Sequence, residues 1–198
     1  MKSFFAHKTS VIDKNCLIGF NTKIWHFSHI MSDAQLGENC NVGQNVVISP
    51  GVILGNNVKV QNNVSLYDGV KFADDVFCGP SVVFTNVTNP RAEVDRKKEF
   101  KSTEVEKGVS LGVNCTVLCG VKLREYSFIA AGAVVTKDTM PFELVAGIPA
   151  KRIGWISRHG ERMNFNKKKK IFICNFTKTK YKLKNNEIII TEAVGSID

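Results

Sequence analysis

The stretch that decides the fold is NVGQNVVISPGVILGNNVKVQNNVSLYDGVKFADDVFCGP, residues Asn41–Pro80. A valine recurs in it at every sixth position, from Val46 to Val76, and again at Val82 just beyond it. Neither an α-helix nor a flat strand repeats after six residues, since their side-chain periods are 3.6 and 2. The period therefore indicates a repeat structure in which each hexad supplies a short strand and a corner.

The six-residue period extends back to Val11, so that twelve hexads follow one another. In each hexad the second position is apolar and the sixth is small or β-branched. Asn, Gly and Asp are frequent between them, and these residues tolerate the left-handed backbone angles of tight corners. Three hexads would close one triangular coil, so that residues 18 apart stack. The second positions are Ile12, Ile18, Ile24, Ile30, Leu36, Val42, Ile48, Leu54, Val60, Leu66, Phe72 and Cys78.

A break interrupts the period after Phe84, and the period resumes in a shifted phase at Val105. The intervening TNVTNPRAEVDRKKEFKS, residues 85–102, is polar and aperiodic. Because a long break inside a regular solenoid is usually functional or disordered, we expect a loop extruded from one coil. The whole pattern resembles a left-handed parallel β-helix of about six coils. The fold class is therefore mainly β.

The C-terminal part of the chain departs from the repeat. We predict a β-helix domain over residues 1–165 and a small basic β extension over residues 166–198. A short helix is expected at Ile153–Met163, followed by three strands within IFICNF, KYKL and EIIIT.

The formal net charge is +9, and residues 166–198 hold eight lysines against three acids. A basic balance suits an anionic small molecule, nucleic acid or an acidic membrane surface. The run Lys167–Lys170 is interpreted as a solvated linker, because no aromatic residues interleave it as a nucleic-acid patch would require. No stretch resembles a membrane span or a signal peptide, so we expect a cytoplasmic protein without membrane insertion.

The six cysteines form no CxxC pair, and no two of them are 18 residues apart. We therefore expect reduced thiols that act as small core residues. The four histidines are not spaced as zinc ligands, so no metal is expected.

Two segments near the end of the repeat resemble the closing signature of hexapeptide-repeat acyltransferases. They are AAGAVVTKD (Ala130–Asp138) and VAGIPAKRIGW (Val145–Trp155). This resemblance implies a homotrimer that binds acetyl-CoA in the clefts between neighbouring subunits. An alternative interpretation is that Gly147 and Pro149 only form the turn that ends the solenoid. The two interpretations are compatible.

The resemblance also implies which residues contact the cofactor. Small or turn residues would let the pantetheine and adenine approach the wall, namely Ala131, Gly132, Ile148 and Pro149. Cationic residues would meet the CoA phosphates, namely Lys137, Lys151 or Arg152.

The chain also resembles the nucleotide-linked 3-amino-sugar N-acetyltransferases in three further segments. These segments are IWHFSHIMSDAQLGENCNVGQNV, VQNNVSLYDGV and DDVFCGPSVVFTNVTNPRAEVDRKKEF. The match covers roughly Phe5–Met163. Such enzymes acetylate the 3-amino group of a UDP- or dTDP-linked sugar for O-antigen, capsule or related glycans. The motifs do not separate a UDP-linked 2-acetamido-3-amino glucuronic acid from a dTDP-linked 3-amino-3,6-dideoxyhexose.

Amide formation at a sugar amine needs a neutral nitrogen, a nearby thioester and a donor for the oxyanion. Relatives that acetylate hydroxyls use a histidine base, whereas the loop here has no histidine and carries Asn86 at the corresponding place. A sugar amine with a pKa of about 8 is partly neutral without a base. We therefore predict catalysis by positioning, in which Asn86 holds the sugar and the departing thiolate accepts the proton.

Other residues are candidates for substrate binding. Asp68 is 18 residues before Asn86, so it is a possible amine partner or second base on the same corner. Arg91 is a candidate ligand for a phosphate or carboxylate, or it is solvated. The remaining candidates are Asn62 and Tyr67 near the sugar and His26 and His29 near the nucleotide base, with corner hydrogen bonding or packing as their alternative roles.

Three rival functions use the same fold. An O-acetyltransferase would need the missing histidine base. A γ-type zinc carbonic anhydrase would need three histidines on late coils, and the sequence has none there. A purely structural solenoid is disfavoured by the loop and the closing signature.

Overall fold

The computed structural model describes residues 4–165 and 170–193, and within them the chain winds through six complete coils and two sides of a seventh. The first three coils contain β1 (Phe5–Ala6), β2 (Val11–Ile12), β3 (Leu17–Ile18), β4 (Lys23–Ile24), β5 (His29–Ile30), β6 (Gln35–Leu36), β7 (Asn41–Val42), β8 (Val47–Ile48) and β9 (Ile53–Leu54). The others contain β10 (Lys59–Val60), β11 (Ser65–Leu66), β12 (Val70–Phe72), β13 (Phe77–Cys78), β14 (Val83–Phe84), β15 (Thr103–Val105), β16 (Ser110–Leu111), β17 (Thr116–Val117), β18 (Lys122–Leu123), β19 (Phe128–Ile129) and β20 (Val134–Val135).

The strands stack into three parallel sheets, which are the sides of a prism. Side A consists of the first strand of every coil, side B of the second and side C of the third. Phe5 pairs with Lys23, 18 residues later, and this spacing holds until the loop, where Val70 pairs with Thr103. We call the turns between sides A and B corner AB, and those between sides B and C corner BC. The predicted parallel β-helix of about six coils is confirmed.

The interior of the prism is a mainly apolar stack, with buried hydroxyl residues at a few positions such as Thr22 and Ser28. The seven valines from Val46 to Val82 are at most 2% exposed, and the second position of every hexad from Ile24 to Cys78 is also buried. Each fully buried aliphatic side chain contributes about 1.5–3 kcal/mol. The hexad rule therefore identified the core correctly from Ile24 onward, whereas Ile12 and Ile18 in the first coil are only partly buried.

The corners explain why Asn, Asp and Gly recur. Every sixth residue from Asn15 to Ser81 has a positive φ. Side chains at equivalent corner positions of successive coils also form hydrogen bonds along the axis of the prism. For example, Asn57 Nδ2 donates to Asp75 Oδ1 at 2.8 Å. At Gly37 an added Cβ would lie 2.5 Å from the carbonyl oxygen of Gly55, so only glycine lets these coils stack.

The predicted extruded loop is confirmed. It leaves after β14, contains one 3-10 turn at Lys97–Glu99 and returns at β15. Its base is closed where Lys101 N donates to Asn86 O at 2.9 Å, and Thr85 Oγ1 accepts from Cys119 N at 2.9 Å.

The chain after β20 forms β21 (Glu143–Ala146), β22 (Lys151–Ile156) and β23 (Arg162–Met163), which extend side A. The helix predicted at Ile153–Met163 is therefore wrong. The edge of β21 offers backbone partners to an antiparallel strand, and Gly154 and Gly160 disfavour a helix interior.

A separate antiparallel sheet follows, made of β24 (Ile171–Ile173), β25 (Lys180–Lys184) and β26 (Glu187–Glu192), which confirms the three predicted strands. It packs on the prism through a second apolar cluster. There the Tyr126 ring stacks on Phe142 at 5.3 Å, and Phe142 meets Tyr181 edge-on at 5.8 Å.

All six cysteines are free, as predicted, and all except Cys16 are buried. Burial raises the pKa of the Cys115 thiol to about 12. Among residues 4–165 and 170–193 no helix has the length and apolarity to cross a membrane. The linker interpretation of Lys167–Lys169 lies outside the described residues, and Lys170 is exposed.

Candidate active site

Corner AB brings together four predicted site residues along one edge of the prism. His26 and Asn62 lie in its second and fourth turns, and Ala131 and Gly132 lie in its seventh. This edge is continuous, since hydrogen bonds join its successive turns. These bonds of 2.9–3.0 Å run from Gly132 N to Val113 O, Asn114 N to Pro80 O, Ser81 N to Asn62 O, Asn63 N to Gln44 O and Asn45 N to His26 O.

A cavity of about 290 Å³ lies at the early end of corner AB. His26 and Asn62, both candidates for substrate binding, line it. Asn62 is anchored there because its Oδ1 accepts from Gln44 N at 2.9 Å. The other lining residues are Trp25, Asn41, Gly43, Gln44 and Gln61.

The His26 ring is stacked on His7, with centroids 3.5 Å apart. Partial desolvation, followed by the nearby charges of His26 and Lys8, lowers the pKa of His7. The ring of Trp25 is fixed beside them, since its Nε1 donates to Asn41 Oδ1 at 2.8 Å. The rings of Trp25 and His26, together with amide side chains, therefore line this part of the corner.

The late end of corner AB gathers most of the predicted cofactor residues. The turn that holds Ile148 and Pro149 lies against β20, because Val134 N donates to Gly147 O at 3.0 Å and Ala150 N donates to Val134 O at 2.8 Å. Ile148 is 77% exposed, and nothing lies within 4 Å of a Cβ built on Gly132. The result is a smooth, open wall.

The predicted phosphate ligands do not lie together. Lys151 is exposed at the start of β22, close to the turn that holds Ile148, whereas Lys137 lies at corner BC, on the other edge of side B. Arg152 is engaged elsewhere, since its Nε lies 3.8 Å from Glu143 Oε1 and its guanidinium stacks on Trp155 at 4.7 Å.

Corner BC holds the second group of predicted residues. Ser65 pairs with Val83, so Asp68 and Asn86, three residues further on, occupy successive turns of this corner. Asp68 is exposed and leans over Gly51, where an added Cβ would lie 3.7 Å from its Oδ1. The exposed Tyr67 lies in the same turn as Asp68.

The loop forms a cavity of about 620 Å³ on the corner BC side, within the size range of small-molecule sites. Asn86 and Arg91, both candidates for substrate binding, line it. Two contributors escaped the sequence analysis, Arg96 and Phe100. Arg96 Nη1 donates to both carboxylate oxygens of Glu99 at 2.9 Å. The spacing of three residues between Arg96 and Glu99 is the only sequence signal for this ion pair.

His29 is separated from His26. It projects from β5 on side B, and its Nε2 lies 3.1 Å from Asp13 Oδ2. Within residues 4–165 and 170–193 no three His, Cys, Asp or Glu side chains cluster as metal ligands do.

Family models match most of the repeat. The model for bacterial transferase hexapeptides (six repeats) matches residues 15–50, and the hexapeptide repeat of succinyl-transferase matches residues 34–68 and 103–137. The dTDP-3-amino-3,6-dideoxy-α-D-galactopyranose 3-N-acetyltransferase of Aneurinibacillus thermoaerophilus is 41% identical over 161 residues, which are 81% of this chain and 83% of that protein. The chain belongs to the hexapeptide-repeat transferase family.

Solved structures share the fold of this hexapeptide-repeat transferase. The acetyltransferase domain of PglB from Neisseria gonorrhoeae, in complex with acetyl coenzyme A, superposes with a TM-score of 0.51 at 17% identity, over 76% of this chain and 58% of that one. A hexapeptide transferase family protein from Anaplasma phagocytophilum gives 0.51 at 18% identity, over 80% and 88%. At these identities the likeness concerns the fold alone.

Proposed function

We propose that the protein transfers the acetyl group of acetyl-CoA to the 3-amino group of a nucleotide-linked amino sugar. The observation that carries the proposal is the 41% identity with a dTDP-3-amino sugar N-acetyltransferase over 81% of the chain. The loop cavity at Asn86 supports it, because it offers a site for the sugar beside a corner with a carboxylate, Asp68. A dTDP-linked 3-amino-3,6-dideoxyhexose is the first substrate to test.

The chemistry follows from positioning. The neutral amine attacks the thioester carbonyl, the new C–N bond forms, and the C–S bond breaks to release the CoA thiolate, which takes up the amine proton. Asn86 would hold the sugar so that its amine faces the thioester, and Asp68 would orient the amine or accept its proton on the way. Arg91 would bind a phosphate of the nucleotide.

Acetyl-CoA would lie along corner AB. Ala131 and Gly132 leave the wall open for the pantetheine, Ile148 and Pro149 flank it, and Lys151 would meet a phosphate. Lys137 lies across side B, so it would meet a phosphate of a CoA held by a neighbouring subunit. His26 and His29 would contact the nucleotide base from the same or a neighbouring subunit, while Asn62 and Tyr67 would contact the sugar.

A homotrimer explains why the proposed site is divided. In one protomer, side B separates corner AB from corner BC and the loop. Corner AB of one prism facing corner BC of its neighbour would bring acetyl-CoA and the sugar amine together. We further propose that the enzyme works in the cytoplasm, where nucleotide sugars for O-antigen or capsule synthesis are made.

The substrate test is mass spectrometry after incubation with acetyl-CoA and a panel of dTDP- and UDP-linked 3-amino sugars. One added acetyl group on a panel member is expected, together with release of free CoA thiol. If no amino sugar gains an acetyl group while the 3-hydroxy analogues do, the proposed N-acetylation is wrong and the protein is an O-acetyltransferase.

Mixed oligomers test the divided site. Asn86→Ala alters corner BC and Ala131→Trp blocks corner AB, so each variant alone should be strongly impaired. If sites form between subunits, refolding the two variants together should restore part of the activity. An active monomer, or no recovery in verified mixed trimers, would contradict the arrangement.

A further inference from the structure

The net charge of the chain is concentrated at its C-terminal end. Residues 1–150 contain 15 lysines and arginines against 14 acids, whereas residues 151–198 contain 12 against 4. The prism is therefore almost neutral, and nearly the whole positive charge belongs to the segment after it. None of the proposed chemistry explains the lysines of this segment beyond Lys151.

The C-terminal sheet has two distinct faces, because side chains alternate along each strand. Its inner face packs on the second apolar cluster through Phe172, Tyr181, Leu183 and Ile188. The side chains between them point away from the protein. This outer face consists of Ile171, Ile173, Lys180, Lys182, Lys184 and Ile189, together with Glu187 opposite Lys184 and Glu192 opposite Lys180.

The outer face combines exposed aliphatic and cationic side chains. Lys182 pairs with Ile171 on one side and Ile189 on the other, so one row of the sheet reads Ile–Lys–Ile. Ile171 is 54% exposed, Ile173 49% and Ile189 42%, which is unusual for large aliphatic side chains on a three-stranded sheet. Lys182 and Lys184 are exposed beside them.

We propose that this outer face docks the protein on the surface of an anionic phospholipid bilayer. Aliphatic side chains gain free energy by entering the headgroup boundary, while lysines gain it from anionic headgroups, and the outer face presents both together. The sequence adds three lysines directly before Lys170. Contact of this kind is peripheral and needs no spanning segment.

The composition of the face favours a bilayer over nucleic acid. Binding of single-stranded nucleic acid relies on exposed aromatic rings that stack on bases. Here the exposed apolar residues are isoleucines, Tyr181 is buried, and the ring of Phe176 is already stacked on His159 at 4.2 Å. Lys180 is partly neutralised by its ion pair with Glu192, so the proposed attraction to anionic headgroups depends on Lys170, Lys182 and Lys184.

The test is flotation of the full-length protein with vesicles of phosphatidylcholine alone or mixed with phosphatidylglycerol. Binding is expected only to the mixed vesicles, and it should weaken as salt is raised. The triple variant Lys170→Gln/Lys182→Gln/Lys184→Gln should bind at least about tenfold more weakly, since each lysine near an anionic surface contributes about fivefold. The double variant Ile171→Ser/Ile189→Ser should also bind more weakly, at unchanged net charge.

The matched control is Lys23→Gln/Lys59→Gln/Lys71→Gln, which removes three exposed lysines from the sides of the prism. It should float like the unaltered protein. All variants are checked by thermal unfolding and by mass in solution. Equal binding of the two triple variants would overturn the proposal. So would retention by a random-sequence oligonucleotide instead of vesicles, or a change of oligomeric state in the C-terminal variants.

Discussion

The β-helix and the loop at residues 85–102 are stabilised in opposite ways. In the helix, each residue is fixed by equivalents 18 positions before and after it, and the valine stack is sealed from water. In the loop, residues 88–95 are all exposed, and its shape depends on a few polar contacts such as Arg96 with Glu99 and Lys101 with Asn86. Repetition builds the scaffold, and its interruption creates a cavity large enough for a ligand.

This difference predicts that stability and activity respond to different regions. A change inside the prism should reduce the free energy of unfolding, because the close-packed interior cannot relax. A change in the loop should leave unfolding unaltered and alter turnover. Four experiments test or sharpen this separation, in order of decreasing effect.

The largest effect is expected from Val64→Asp. Val64 is fully buried between coils, so the variant carries an unpaired charge in the core and should lose at least about 4 kcal/mol, or fail to fold. The neighbouring Asn63→Asp is the control, since Asn63 is exposed with a positive φ that Asp also tolerates. Urea unfolding measures both. Similar stability of the two variants would contradict the buried stack.

Asn86→Ala should reduce kcat by about 100-fold, because the sugar amine loses its positioning group. The unfolding midpoint should not change. Asn89→Ala on the same loop is the matched control, as Asn89 is exposed and bonds only Thr88 among the described contacts. Undiminished turnover in Asn86→Ala would remove this residue from the mechanism.

Alkaline pH should weaken the stack at Cys115. Because its pKa is raised from 9.0 to about 12, the folded state keeps a proton that the unfolded state loses, so stability falls as pH rises above 9. By pH 10 this contribution is about 1.4 kcal/mol. Cys115→Val should remove it. Urea unfolding at pH of about 8 and 10 compares the two proteins, and parallel losses would rule out this thiol as the cause.

The smallest effects concern two buried threonines. Thr22 Oγ1 donates to Gly37 O at 2.8 Å and accepts from Cys40 N at 3.0 Å, whereas Thr103 Oγ1 has no partner among the described residues. Thr22→Val should therefore destabilise by about 1–2 kcal/mol, and Thr103→Val should stabilise by about 1 kcal/mol. If the unfolding curves of both variants shift in the same direction, the hydrogen bonding of the threonine hydroxyl does not determine stability at these two positions.

The sequence predicted the prism because its local and global rules agree. A six-residue period buries Ile24 and Val46 together when the chain winds into a three-sided coil, and Asn, Asp or Gly at most corners tolerates the positive φ of these turns. The loop was equally predictable, since a polar, aperiodic stretch cannot enter that stack. The helix expected at Ile153–Met163 failed because the edge of β21 provided backbone partners that no local pattern reveals.

The sequence suggested candidate site residues one by one but did not give their arrangement. The 18-residue rule placed Asp68 and Asn86 on one corner, and the closing signature placed Ala131 near Ile148. Neither signal showed that side B separates Lys137 from Ala131 and Ile148, because this requires knowing at which corner of the prism each turn lies.

The sequence by itself determined the repeat, the core, the position of the loop and the free cysteines, since each depends on spacing along the chain. Only the tertiary structure decided which late turns share an edge of the prism with the early ones, how the C-terminal sheet turns its isoleucines and lysines outward, and which buried hydroxyl lacks a partner among the described residues. These features depend on contacts between distant segments, whose geometry is fixed only when the coils have stacked.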